Sequence, residues 1–479
     1  MNNQFYEETY SQVVEPNYGT KRVNVLDVVL ELEIGSHEYS ISSRIDMTKH
    51  EGYTIDPVGC TDADDAFSIF TEDGKMYLAI HIADPTDYIP LSSSLWRDMC
   101  NRVTTKYPSN RPPIHMMPAS VLSLASLQSS GVQRVNLTQH SSGVNTIKKA
   151  ITVLSEINPD TYEIINKIQL LFTDIRVGEE TRYTYERASE NMDAIETLKH
   201  GLRISEVLKH KRGQITKGVK LSEVNASYPV FEEDRVYLRK SEKGEKQMKE
   251  MIAEFAIFAN SFVGEYLKIH LNVGIFRTCN ASAWLQNVYQ GISGQNLLKE
   301  IISNGIKADY LSHVSSHDLV GIAEYCHFTS PIRRLADCIC HYLLKYIHIR
   351  NERQVAIPFS ESELEQYANR CLTVAKQDKK TQYLDIKFRM LQVIHNMLLS
   401  GESVKLEYYV TSYSGLFLNV IVSKINTFDV HMSYTLRVKK YDKPIDPKQT
   451  HCVEITRVNC FTKHDENTLP ELDAQLLRG

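Results

Sequence analysis

The stretch from His50 to Gly74 carries seven carboxylates, Glu51, Asp56, Asp62, Asp64, Asp65, Glu72 and Asp73, and no lysine or arginine. It runs straight into Lys75-Met76-Tyr77-Leu78-Ala79-Ile80-His81-Ile82, whose alternation reads as a strand, and Glu72-Asp73-Gly74 is a hairpin signal. A chain that folds this strand brings the acids to the edge of an apolar core, where carboxylates repel one another and lose hydration. Either some of them take up protons or a cation compensates them, and oxygen-only ligands favour Mg²⁺, Mn²⁺ or Ca²⁺. The plain alternative is a solvated loop, since Asp is favoured in turns. An EF-hand starting at Asp62 fails, because Ala66 and Phe67 stand where an acceptor and a glycine are needed. The third reading is a phosphoryl-transfer site. Cations held by several carboxylates can activate water and stabilise the leaving oxygen of a phosphodiester, and Asp56, Asp62, Asp64 and Asp65 stand just before a strand.

A second segment, Tyr325 to Asp337, adds positive charge. Ser330 is a good N-cap and Pro331 suits the first helical position, so the spacing predicts a helix from there. Ile332, Leu335, Ala336, Ile339, Cys340, Leu343, Leu344 and Ile347 form its apolar face. Arg333 and Arg334 would then sit in a first turn that prefers anions. Pairing with acids such as Asp337 would resolve this for Arg334, and for Arg333, beside Thr329 and Ser330, a phosphate is the better partner. Metal ligands and a phosphate clamp together are the minimum set for hydrolysing nucleic acid.

Composition limits the alternatives. With 54 basic and 59 acidic residues the net charge is −5, so nucleic acid would have to enter a local channel rather than coat the surface. The 26 tyrosines offer rings that can stack on bases. Nine cysteines without a CxxC pair argue against structural zinc and suit a reducing, intracellular and cytoplasmic setting. No apolar run is long enough to span a membrane, and the opening MNNQFYEETY lacks a targeting pattern.

The length of 479 residues is enough for about three domains. Residues 1–50 read as a short β-rich extension, with strands expected over 24–46 from Val25, Asp27 and Val29. Residues 51–400 read as a mixed αβ core, helical over Met251–Leu267 and 360–400. Residues 401–479 read as a small OB-like β-barrel with a tail. Lys439, Lys440, Lys443 and Lys448 make that last part locally basic, and Lys209-His210-Lys211-Arg212 and Arg239-Lys240 are similar tracts. Each could be a phosphate track or a solvated surface. His81 reads as a hydrogen-bonded core residue rather than a ligand.

These segments resemble the ribonuclease II (RNB) family of exoribonucleases. Thr54–Asp65 resembles its D-x5-D-x-D-D metal site, and His81-Ile82-Ala83-Asp84 the strand after it. Met116-Met117-Pro118, Leu122-Ser123 and Ser126-Leu127 are similar to M-L-P…L-S…C-S-L, departing at Met117 and Ala125. Arg182-Tyr183-Thr184-Tyr185 resembles R-L-T-Y. Ile252-Ala253-Glu254-Phe255 with Ala259-Asn260 resembles E-E-F…A-N, Ala253 replacing a Glu. His327–Asp337 resembles H-F-T-S-P-I-R-R-Y-A-D, Leu335 replacing Tyr. Order and spacing agree over roughly residues 50–345.

The resemblance implies an α+β fold and hydrolytic 3′→5′ degradation of single-stranded RNA to nucleoside 5′-monophosphates. It implies Mg²⁺ (or Mn²⁺) as cofactor, with no nucleoside triphosphate and no membrane partner. Asp56, Asp62, Asp64 and Asp65 would be the metal ligands, with Asp56 and Asp65 on the better-defined ion and Asp64 indispensable to the chemistry. Arg333 would grip the scissile phosphate. Tyr107 would pack on the terminal nucleotide, Glu254 would lie near the RNA 3′ end, and Ser330 and Arg334 would join the substrate contacts. Family members usually carry two cold-shock-type barrels before the core; about 50 residues stand there here, which should weaken the grip on long RNA. Two rivals remain: a catalytically inactive RNA-binding protein on the same fold, and a Ca²⁺-binding structural protein, which leaves Arg333 and Tyr107 unexplained.

Overall fold

The computed structural model describes residues 3–19, 30, 32–128, 147–165, 167–216, 227–232, 235–281, 306–414, 417–438, 449–458 and 471–476. The core is a five-stranded sheet in the order β1-β6-β5-β4-β3, formed by β1 (Ile45–Glu51), β3 (Asp65–Glu72), β4 (Lys75–Ala83), β5 (Ile147–Ile157) and β6 (Gln169–Arg176). Strands β3 and β4 meet in the two-residue turn legible in the sequence. Asp73 and Gly74 both take positive φ, 51° and 75°, as a primed hairpin turn requires, and Glu72 pairs with Lys75. A two-stranded parallel pair, β2 (Thr54–Asp56) and β7 (Arg182–Thr184), stands beside the sheet. Two antiparallel pairs, β8 (Tyr228–Glu232) with β9 (Arg235–Arg239) and β10 (Phe276–Thr278) with β11 (Asp309–Leu311), are the other described strands before the C-terminal barrel.

His81 lies in β4, fully buried. It bridges Ser68 Oγ (3.0 Å) and Thr152 Oγ1 (2.8 Å), and Thr152 continues the ladder to Thr173 at 2.7 Å. It is the core histidine that the sequence reading expects. Burial pushes it down to about 3, whereas the unfolded chain titrates near 6.5. Between those values the unfolded state binds the extra proton, so the stability His81 contributes is complete above pH ~6.5 and is lost on acidification. From pH 6.5 to 5 the wild type is expected to lose about 2 kcal/mol more than His81→Asn, measured as the difference between their urea midpoints at the two pH values.

The helix Leu335–Ile349 is buried on nearly every face. Its Lys345 reaches Asp84 at 2.9 Å and Asp87 at 3.1 Å, and Arg44 reaches the same two acids at 2.6 and 3.0 Å. Burial alone would raise Asp84, but Lys345 and Arg44 outweigh it and hold the carboxyl well below its usual range. Lys345→Ala leaves these charges under-compensated in the interior. It is expected to cost about 3–5 kcal/mol, read from the denaturant midpoint at neutral pH.

The N-terminal extension departs from the β-rich expectation. It opens with a helix, Asn3–Val13, followed by a 3₁₀ turn, Glu15–Tyr18. Tyr6, Tyr10 and Val14, at i, i+4 and i+8, are all buried and form one helical face. The expected strands over 24–46 fall partly outside the described residues, and residues 32–44 contain no strand; the first begins at Ile45.

The long helix Glu361–Leu399 opens with a capping box, Ser360 and Glu363 bonding reciprocally, and leads into the C-terminal barrel. There β12 (Val404–Ser414), β13 (Phe417–Ile425), β14 (Phe428–Val438), β16 (Glu471–Leu476) and β15 (His451–Val458) close in that order, with β14 parallel to β16. This is the five-stranded arrangement of an OB-like barrel. Lys439, Lys440, Lys443 and Lys448 lie outside the described residues. The other basic tracts are engaged in ion pairs: Lys209 with Glu250 (2.7 Å), Lys211 with Glu163 (3.0 Å) and Arg239 with Glu186 and Glu245 (2.9 and 2.6 Å). Among the described residues no helix is long and apolar enough to cross a membrane.

Candidate active site

Asp56, Asp62, Asp64 and Asp65 all line one cavity of about 760 Å³. Asp56 ends β2 and Asp65 starts β3, and the connection between them carries Asp62 and Asp64. Asp64 is 3% exposed. It accepts the Ile332 amide at 2.7 Å and Arg333 Nε at 3.1 Å. Asp62 accepts the Tyr107 hydroxyl at 2.7 Å, and Asp56 accepts Gln128 Nε2 at 2.7 Å. The Cys60 thiol lies 3.7 Å from both Asp56 and Asp62. The Asp65 carboxylate accepts no hydrogen bond from the described residues.

Burial dominates the electrostatics. Burial, then repulsion from Asp65, pushes Asp56 up to about 7. Burial pushes Asp65 up to about 6 against the pull of Arg333 and Arg334. Burial raises Asp64 well above the usual carboxylate range, although Arg333 and the Ile332 amide oppose it. A divalent cation fits this under-compensated set, because every donor is a hard oxygen and Asp56 and Asp65 repel one another. No three acidic, histidine or cysteine side chains among the described residues close into a ready cage.

The helix expected from Ser330 begins five residues later, at Leu335. Ser330–Arg334 forms a single turn instead, the Arg333 and Arg334 amides reaching the Ser330 carbonyl at 3.3 and 3.0 Å. Two carboxylates brace this turn. Asp64 takes the Ile332 amide, and Asp337 takes both the Ser330 amide (2.8 Å) and Arg334 Nη2 (2.9 Å). Arg333 and Arg334 therefore precede the helix rather than crowd its first turn. Arg333, its side chain 46% exposed, lines the cavity, its Nη2 donating to Ser330 Oγ at 3.1 Å. Ser330 and Arg334 also line it, but Arg334 is committed to Asp337.

Helix Lys243–His270 supplies the opposite wall. Lys249, Ile252, Ala253, Ala256 and Asn260 share one face. Gly264 lets this helix approach the backbone of Glu324, whose carbonyl a Cβ would meet at 2.4 Å. Asn260 then accepts the Phe328 amide at 2.8 Å and so fixes the His327–Ser330 segment. Glu254 is turned about 100° from that face. It forms a two-pronged pair with Arg212 and does not line the cavity. Its carboxylate is engaged in a helix-to-helix ion pair.

Two residues at the site had no role in the sequence reading: Tyr185, which lines the cavity, and Gln128, which binds Asp56 without lining it. Tyr185 follows β7, so the β2–β7 pairing sets it close to Asp56; burial, then Asp65 and Asp56, raise its phenol. Gln128 reaches Asp56 and Thr54. The R-x-T-Y motif was a signal for the first; nothing local marked the second.

A family model for the RNB domain matches residues 44–349. The chain belongs to the RNB family. Its sequence is similar to exoribonuclease 2 of Psychromonas ingrahamii, with 26% identity over 418 residues, 76% of this chain and 60% of that enzyme. This RNB chain therefore spans less than two thirds of that relative's length. In fold it is similar to the Dss1 exoribonuclease active-site mutant of Candida glabrata (TM-score 0.74, 19% identity, 96% of this chain and 59% of that one). It is also similar to yeast Ssd1, a pseudonuclease (TM-score 0.60, 16% identity, 84% and 51%).

Proposed function

We propose that this RNB protein is a Mg²⁺-dependent (or Mn²⁺-dependent) hydrolytic exoribonuclease that trims single-stranded RNA from its 3′ end to nucleoside 5′-monophosphates. The observation that carries the reading is the convergence of four aspartates and Arg333 on one cavity of about 760 Å³, a size suited to a terminal nucleotide. Membership of a family with exoribonuclease relatives supports it.

Asp56 and Asp65, the pair burial leaves under-compensated, would hold the ion, with Asp62 and Asp64 next to it. The ion, when bound, supplies a Lewis acid that activates water and stabilises charge on the leaving oxygen. Arg333 is held by Asp64 and Ser330 with its remaining donors toward the cavity, ready for phosphate oxygens. Tyr107, 40% exposed and tethered through its hydroxyl to Asp62, offers its ring to the last base. Ile252, Ala253 and Ala256 give an apolar wall that limits water around the scissile bond.

The test is 5′-labelled oligo-RNA incubated with Mg²⁺ or with EDTA. Stepwise shortening from the 3′ end that stops on chelation and resumes with Mg²⁺ is expected; intact RNA under both conditions removes the assignment. The second reading is a catalytically inactive RNA-binding protein. The likeness to the Ssd1 pseudonuclease favours it, and the complete aspartate quartet argues against it. Retention of RNA with no mononucleotide release would select it. Stacking on an aromatic ring is worth about 1–3 kcal/mol per base. Tyr107→Ala is therefore expected to weaken binding of short oligomers about 10- to 100-fold and to lengthen the final products, resolved on a sequencing gel.

A further inference from the structure

Tyr107 stands at the neck of a closed loop. Lys106 and Ile114 exchange two main-chain hydrogen bonds, 3.0 and 2.8 Å, pinning the ends of residues 106–114 together. Pro108 keeps Tyr107 in extended backbone conformations. A surface loop of this kind is ordinarily among the most mobile parts of a fold.

Here it is tied to both ends of the chain's helical framework. Asp385, on helix Glu361–Leu399 and 3% exposed, accepts four hydrogen bonds. Two come from the N-terminal segment, the Tyr10 and Tyr18 hydroxyls at 2.6 Å each. Two come from the loop, the Ser109 amide at 3.0 Å and the Ser109 hydroxyl at 2.5 Å. Arg389, one turn further along, donates to Ser109 Oγ at 2.9 Å, pairs with Glu7 at 2.7 Å and lies 4.5 Å over the Tyr10 ring. Three more ties join the same partners: Lys106 Nζ to the Tyr18 carbonyl at 2.9 Å, Asn110 to Glu7 at 3.3 Å, and Arg111 to Glu15. Beneath them Tyr6, Tyr10, Val14 and Tyr18 pack with Ile114 and Phe388 as a cluster separate from the main core.

The chemistry couples the two segments. A buried carboxylate is tolerated only when its lone pairs are filled, and Asp385 is filled by donors from two segments at once. Burial, then Asp385 itself, pushes both phenols up, so they remain protonated donors. Freeing either segment strands the carboxylate and loosens the other.

We propose that the segment Asn3–Tyr18 is a strap that, through Asp385 and Ser109, fixes the loop carrying Tyr107 and thereby sets the RNA length at which trimming stops. Its consequence for product length rests on the nuclease reading; the strap itself does not. Asp385 and Ser109 are positioning residues: they act through Tyr107 and touch no substrate. A ring held rigid stacks on a base at lower entropic cost than one on a free loop. Short RNAs, held by few contacts, feel its loosening first.

The experiment uses the full chain in two variants, Ser109→Ala and the double substitution Tyr10→Phe/Tyr18→Phe, which keeps the packed rings. Two quantities are measured: amide hydrogen exchange over residues 106–114, with β4 and β5 as internal reference, and end-product length with KM and kcat on short and long RNA. Exchange in the loop is expected to accelerate at least about tenfold, the worth of one hydrogen bond to a charged acceptor, with the reference strands unchanged. Final products should lengthen and KM for short oligomers rise about tenfold, with kcat on long RNA unaltered. Neither variant should add anything in a Tyr107→Ala background. Wild-type exchange in both variants overturns the strap. Faster exchange with unaltered products, or with losses that add to those of Tyr107→Ala, overturns its role in setting length. A wild type that releases no nucleotide overturns the nuclease reading and with it the length-setting role, while the exchange data still decide the strap.

Discussion

Asp64→Asn is expected to lower turnover by at least about 10³-fold, the several kcal/mol that charge stabilisation around a catalytic ion supplies, while RNA binding stays within a few-fold of wild type. The geometry explains the split. Asp64 sits between the Ile332 amide and Arg333 Nε, at the junction of the acidic and basic halves of the site. Asparagine keeps the shape and one acceptor for Ile332, but removes the charge that pairs with Arg333. The residue is also deeply buried, and burial raises its carboxyl well above the normal range. Relief of that burial offsets the lost pair with the half-exposed Arg333, so thermal stability should stay near wild type. Single-turnover kinetics, a binding isotherm and a melting curve on the same preparation separate the alternatives. Turnover near wild type would remove Asp64 from the chemistry, and a lowered melting temperature would mark the variant as structurally compromised.

Arg333→Ala is expected to cost about 10²–10³-fold in rate, the magnitude found when one preorganised donor to a developing negative charge is deleted. Arg333→Lys should recover little of it. The guanidinium uses one edge for Asp64 and Ser330 and presents the rest to the cavity, a division that a single ammonium cannot reproduce. Arg334→Ala makes the contrast. Its guanidinium is tied to Asp337 (2.9 Å), so its loss should appear mainly as lower stability, with the rate per folded molecule less affected than in Arg333→Ala. Equal rate losses for the two arginines would show that the phosphate is gripped elsewhere. Rates on a long single-stranded RNA, normalised to the folded fraction, decide this.

Much of the site was legible because its signals are local. The aspartate quartet lies within one connection between strands, and the hairpin at Asp73-Gly74 dictates where that connection ends. The apolar period of Leu335 to Ile347 announced a buried helix, and the short alternating runs after Gly401 announced the barrel. The misreadings have one common cause. Ser330 and Pro331 are good helix starters by local chemistry, yet the helix begins at Leu335, and Asp64, 268 positions from Ile332 in the chain, binds the Ile332 amide in the turn before it. Glu254, which matched a motif, pairs with Arg212 on another helix, a partner that no local signal announced. The N-terminal helix was passed over because its three spaced apolar positions, Tyr6, Tyr10 and Val14, have meaning only once Phe388 and Ile114 are there to cover them.

The sequence by itself determined which residue types could do chemistry here and roughly where strands, helices and the barrel lie, because periodicity, turn chemistry and charge clustering act between near neighbours. Only the tertiary structure decided which of those residues face one another: Tyr185 beside Asp56 through a parallel pair, Arg333 on Asp64, the Tyr107 loop strapped to Asp385. Hydrogen bonds and ion pairs form between groups that meet in space. In a buried site each donor is claimed by whichever acceptor the fold brings within about 3 Å, whatever the local sequence would have preferred.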